Sequence, residues 1–175
     1  MNLLPWQSSH WQHILKQSKN GTIPHAYLFN GVDGLGKTIF AQYLSNYLLC
    51  DSRNAADQPC GECKQCKLFD ADTHPDYKFI CPEEGSSLLK VDVIRSLVDF
   101  FNRSSMQGGK KIAVLAPAEA LNHNAANALL KTLEEPASNS IIILVSHNSG
   151  QLLPTIRSRC QVMDFSIPPI SLSKK

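Results

Sequence analysis

The sequence predicts an α/β fold: a parallel sheet of five strands, flanked by helices, with a small cysteine-rich insertion. Three observations lead there. Short apolar runs alternate with helix-period segments along the whole chain, the pattern of a parallel sheet covered on both faces. The run IIILV at Ile141–Val145 is apolar without alternation, as a strand buried on both sides must be. A glycine-rich loop, GVDGLGKT at Gly31–Thr38, stands between a strand pattern and a helix pattern.

The elements follow in order. Trp6, Trp11, Ile14 and Leu15 mark one apolar face of a helix over about residues 5–18, and KNGTIP ends it. His25–Phe29 is the first strand. After the glycine loop a second helix runs from Thr38 to about Leu49, and residues 50–66 are polar and cysteine-rich. A strand is expected near Tyr77–Cys81 and a loop at PEEGSSLLK. A helix over Val93–Asn102 has Asp92 as its expected cap. Lys111–Leu115 is the third strand. A long helix over about Ala118–Leu133 carries Leu121, Ala125, Leu129 and Leu133 at i,i+4 spacing, and Pro136 stops it. Ile141–Val145, a short helix near Leu153–Ser158 and a strand near Gln161–Phe165 complete a domain over residues 1–166. Residues 167–175 read as a linker.

Composition sets the limits. The 175 residues suit one domain, and the apolar share of 43% is enough for a core. Seventeen basic against fifteen acidic side chains give a net charge of +2, which points neither towards nor away from nucleic acid. Nothing approaches the ~20 apolar residues of a membrane span, and the N-terminus lacks the pattern of a secretory signal. A cytoplasmic protein with six reduced cysteines is expected.

Two motifs carry chemistry. In the glycine loop, Gly31, Gly34 and Gly36 let backbone N–H groups curl around phosphate oxygens. Lys37 offers charge to the β and γ phosphates, Thr38 offers a hydroxyl to Mg²⁺, and the following helix aims its positive end at the anion. ATP with Mg²⁺ is the implied ligand; the competing reading is a glycine turn that binds nothing. In an ATPase of this kind the strand Lys111–Leu115 should end in a carboxylate serving the metal, but Ala116 and Pro117 stand there. Secondly, Cys50, Cys60, Cys63 and Cys66 are spaced C-x9-C-x2-C-x2-C. Four sulfur ligands with no open position suit structural zinc; an iron–sulfur cluster and free thiols are the alternatives. Cys81 and Cys160, in or beside strands, are expected as small core residues.

These features in this order resemble the clamp-loader subunits of bacterial DNA polymerase III, within the AAA+ ATPases. PHAYLFNGVDGLGKT, the four cysteines, THPDYKFI, NALLKTLEEP and SRC at residues 158–160 carry the likeness over nearly the whole chain. ATP-hydrolysing members, gamma and tau, have Asp-Glu where this chain has Ala116-Pro117. That loss, and the opening PWQ with Trp11, resemble the delta-prime branch, whose ATPase centre is degenerate. The resemblance implies that Arg159 of SRC is an arginine finger reaching a γ-phosphate on a neighbouring gamma subunit, with Arg157 its competitor; without the resemblance, Arg159 reads as a surface arginine paired to Asp or Glu. Ser146 or His147 falls where the family senses the γ-phosphate; the alternative reading is a buried polar residue at a strand end, with His147 exposed to solvent. The implied partners are gamma/tau and delta subunits and, within the complex, the sliding clamp and primer-template DNA. Family members continue into two further helical domains, so this segment alone is expected to be monomeric. Two other functions remain open: an active gamma-like ATPase with Glu119 as base, and a zinc-dependent DNA-binding module.

Overall fold

A computed structural model describes residues 3–107 and 109–167. The expected linker 167–175 lies outside these residues except for Ile167. A single 3-10 turn at Pro5–Gln7 leads into α1 (Ser8–Lys19). Then come β1 (Ala26–Asn30), α2 (Lys37–Leu49), α3 (Lys64–Asp70) and β2 (Tyr77–Ile80). After these lie α4 (Val91–Asn102), β3 (Lys111–Leu115), α5 (His123–Glu134), β4 (Ser140–Ser146), α6 (Pro154–Arg157) and β5 (Gln161–Asp164).

The five strands form one parallel sheet in the order β2-β3-β4-β1-β5. Successive side chains of a strand point to opposite faces, and the core divides accordingly. Tyr27, Phe29, Ile141, Ile143 and Val145 pack with Trp11, Ile14, Phe40, Leu44 and Tyr47 of α1 and α2. Ala26, Leu28, Ile142 and Leu144 pack with Ile94, Leu97, Leu129 and Leu133 of α4 and α5. Every residue of β4 is buried, as its unalternating sequence requires.

Four expectations need correction. The long helix proposed over Ala118–Leu133 is two elements. A 3-10 turn at Ala118–Ala120 ends, Leu121 turns extended, and α5 starts afresh where the Asn122 side chain accepts from the Ala125 N–H at 2.8 Å. The apolar stripe hid this break because Leu121 also packs against the core. Asp92 is inside the first turn of α4, and the N-cap is Lys90, which makes no side-chain capping bond. Within the cysteine-rich stretch, α3 begins where Cys63 Sγ accepts from the Cys66 N–H. Cys81 is exposed just past β2, whereas Cys160 is buried and its thiol pKa is pushed up to about 12 by that burial.

Candidate functional site

The phosphate loop sits where a doubly covered parallel sheet places ligands, beyond the carboxyl end of a strand. It joins β1 to α2. Gly36 is the N-cap of α2 with φ +73°, a left-handed conformation that glycine adopts without strain. The N-terminal turn presses on the loop from behind. The Gln7 amide is fully buried and donates to the carbonyls of Leu35 (3.2 Å) and Gly36 (2.9 Å). Trp6 Nε1 donates to the Leu35 carbonyl, and Leu4 occupies the space a Cβ on Gly36 would need. On the other side, a Cβ on Gly31 would overlap the Phe165 carbonyl.

Lys37 begins α2 and is 2% exposed. Its Nζ donates to the Val32 carbonyl at 2.7 Å and lies 3.3 Å from His147 Nδ1. Burial lowers its pKa, and the nearby carboxylates of Asp33 and Glu119 partly offset this. Asp33 is exposed; its carboxylate accepts from the Gly34 N–H and faces His147 Nδ1 at 3.5 Å. Thr38 is half-buried on the first turn. Gly31, Gly34, Gly36, Lys37 and Thr38 are therefore assembled at one edge of the sheet, with His147 beside them.

The tip of β3 carries no acid, since Ala116 and Pro117 occupy it. Glu119 is on the following 3-10 turn. Its Oε1 accepts from Ser146 Oγ at 2.5 Å and from the Asn148 N–H at 2.6 Å. Burial would raise its pKa, but these bonds outweigh that and bring it below the usual carboxylate value. The carboxylate thus ties the end of β4 to the end of β3. The Ser146 hydroxyl, fully buried, donates to this carboxylate.

Arg159 is not at this edge. β5 begins with Gln161 opposite Tyr27, while Asn30, which precedes the loop, pairs with Asp164. At about 3.3 Å per residue, three steps along β5 separate the two edges by roughly 10 Å, and Arg159 precedes Gln161. Its Nη2 bonds Glu134 Oε1 at 2.7 Å, and its Nη1 donates to the Thr155 carbonyl at 2.9 Å. Arg157 is exposed.

The four cysteines converge. All Sγ atoms of Cys50, Cys60, Cys63 and Cys66 lie within 4.8 Å of one another. Cys50–Cys60 is 3.6 Å, Cys50–Cys63 3.9 Å and Cys60–Cys66 3.9 Å. A tetrahedron of Zn–S bonds near 2.3 Å has edges of about 3.8 Å, so the donor set fits a zinc-sized cation. Backbone N–H groups of Cys60, Cys63 and Cys66 point at the preceding sulfurs, as thiolates need. Burial raises the Cys63 thiol, but its hydrogen bonds outweigh burial and bring it to about 6, whereas burial raises the Cys50 and Cys66 thiols above the usual value. The module is tied to the body by a Lys19–Asp57 ion pair at 2.7 Å and by Arg53 stacked 4.0 Å over the Tyr47 ring.

Sequence reasoning missed two supports. Gln7 stands in the PWQ that the resemblance uses, but only the structure reveals its hold on the loop. Asp76, in THPD, accepts from Ser105 Oγ (2.7 Å) and from the Met106 and Gln107 N–H groups (3.0 and 2.9 Å). It fixes the turn before β3. The motif was visible; the partner, some thirty residues away, was not.

Comparison with known proteins agrees with this geometry. Residues 6–169 match the family described as DNA polymerase III, delta subunit. The chain is 44% identical over 172 residues to DNA polymerase III subunit delta' of Pseudomonas aeruginosa, covering 98% of this chain and 51% of that protein. Against the Escherichia coli subunit delta' the identity is 36% over 169 residues, covering 97% and 50%. The chain thus spans about half the length of these curated relatives. A Thermotoga maritima DNA polymerase III gamma subunit-related protein superposes with TM-score 0.68 at 27% identity, over 89% of this chain and 46% of that one. The Thermotoga maritima RuvB Holliday junction branch migration motor superposes with TM-score 0.56 at 15% identity, over 95% and 46%, a likeness of fold alone. The architecture is the AAA+ core that the sequence predicts.

Proposed function

Since the chain belongs to the DNA polymerase III delta subunit family, with relatives named delta', we propose that it is the AAA+ core of a delta-prime clamp-loader subunit that hydrolyses little or no ATP itself. In this reading residues 1–166 form the AAA+ domain, with the cysteine module 50–66 inserted and holding structural zinc. Arg159 acts in trans on ATP bound to a gamma or tau neighbour while the sliding clamp is loaded on primer-template DNA.

The observation that carries this reading is the state of the hydrolytic centre. Ala116 and Pro117 cannot hold a metal or polarise water. Glu119, the nearest carboxylate along the chain, is committed to Ser146 and Asn148. As a general base it would have to release both bonds, and its lowered pKa makes it a poor acceptor of water's proton. The gamma-like ATPase with Glu119 as base is disfavoured on the same ground. The position of Arg159 supports action in trans, because it sits at the sheet edge away from its own phosphate loop.

Turnover by the isolated chain tests the reading. Mg²⁺-dependent ATP hydrolysis should stay at background, and Lys37→Ala should not change it. Robust hydrolysis abolished by Lys37→Ala would contradict the proposal. Primed-DNA binding by this chain alone, lost on zinc removal, would favour the DNA-binding module instead.

A further inference from the structure

The Arg159 guanidinium already has work in its own chain. One terminal nitrogen bonds the Glu134 carboxylate at 2.7 Å and the other donates to the Thr155 carbonyl at 2.9 Å. Glu134 is the last residue of α5. Helix C-termini carry partial negative charge, so a carboxylate there is unfavourable unless a cation answers it. Thr155 belongs to α6, and its carbonyl is one of those a helix end leaves without an intrahelical partner. The guanidinium therefore offsets two sources of negative charge at converging helix ends.

This contact is accessible. The side chains of Arg159 and Glu134 are 34% and 50% exposed, so the ion pair is held in water and can open at small cost. A γ-phosphate carries more negative charge than one carboxylate and presents three acceptor oxygens to a planar fork. Both acceptors want the same N–H groups.

We propose that Glu134 is a positioning residue that competes with a neighbouring subunit's nucleoside triphosphate for Arg159. It holds the guanidinium in cis until a γ-phosphate displaces it, and recaptures it when phosphate leaves. The inference rests on the trans-finger reading of Arg159. In the exchange one charge pair opens and another forms, while the freed Glu134 carboxylate returns to solvent. Its effect is to make engagement depend on triphosphate rather than diphosphate.

The test is steady-state ATP hydrolysis by the assembled complex, with the full subunit carrying Glu134→Gln, Arg159→Ala or both. Glu134→Gln keeps an oxygen for the Nη2 bond but removes the charge. It should lower KM for ATP about two- to fivefold, the range of an exposed ion pair, with kcat nearly unchanged. Glu134→Asp should return KM towards the original value. In the Arg159→Ala background Glu134→Gln should have no further effect. An unchanged KM, a fall in kcat, or the same KM shift without Arg159 would each overturn the competition. These outcomes separate the two ideas. If Arg159→Ala alone leaves turnover intact, the finger reading falls; if Arg159→Ala slows turnover and Glu134→Gln is silent, only the role of Glu134 falls. Thermal melts of each variant guard against misfolding.

Discussion

Gly36 shows how a single position binds sequence to geometry. Its φ of +73° costs a side-chain-bearing residue about 1–3 kcal/mol, and the added Cβ would meet Leu4 and the Gln7 amide. Gly36→Ala should therefore lower the thermal midpoint, and Leu4→Ala should restore part of it, since the Leu4 methyl is the nearest obstacle. No recovery in the double variant would mean that backbone strain alone sets the cost. Asp76 makes a pH prediction. Burial would raise its pKa, but bonds from Ser105, Met106 and Gln107 outweigh this and lower it. A depressed carboxylate stabilises the fold above its unfolded value of about 3.9. That contribution is lost as pH falls through the lower folded pKa. Asp76→Asn should thus be less stable than the parent at neutral pH, with a gap that closes in acid; a gap independent of pH would refute the assignment. Phosphate-loop residues could be read from the sequence because their chemistry is local. Gln7 and the Glu119–Ser146 bond could not, because they join residues 29 and 27 positions apart.

Among the elements, all five strands were legible. All five match the expected spans to within a residue at each end; for the central strands the reason is that unalternating apolar runs have one stable environment. Errors fell where two signals overlapped. The α5 stripe continued into Leu121, so periodicity concealed the Asn122 cap. Asn122→Ala should cost about 0.5–2 kcal/mol, the usual worth of an N-cap, measurable by denaturant unfolding; no loss would mean that the bond to Ala125 is incidental. α3 was invisible because seven residues are too few for a period to emerge from a cysteine-rich segment. The cysteine module makes its own prediction. Purified chain should carry about one zinc per molecule, and strong chelation should lower the melting temperature while loosening residues 50–66 more than the sheet. Metal-free protein with unchanged stability would rule out a structural zinc.

At the scale of the whole molecule, the parallel sheet separates two tasks. Its carboxyl edge bears the phosphate loop, with Lys37 buried and Glu119 tied down. Arg159 lies at the other edge, where the loop of the same chain is out of reach. In the proposed reading, one AAA+ core stands next to an active ATPase and serves it without repeating its chemistry. The sequence exposed both halves, a phosphate loop without its acid and an arginine in SRC. Their placement on opposite edges emerged only from the strand register. Single-turnover ATP hydrolysis by the assembled complex carrying Arg159→Ala probes this division directly. Hydrolysis at the site facing this subunit should slow by about 10³-fold or more, the usual worth of an arginine finger, while ATP still binds there. Hydrolysis at that site with an undiminished rate would show that no arginine is lent.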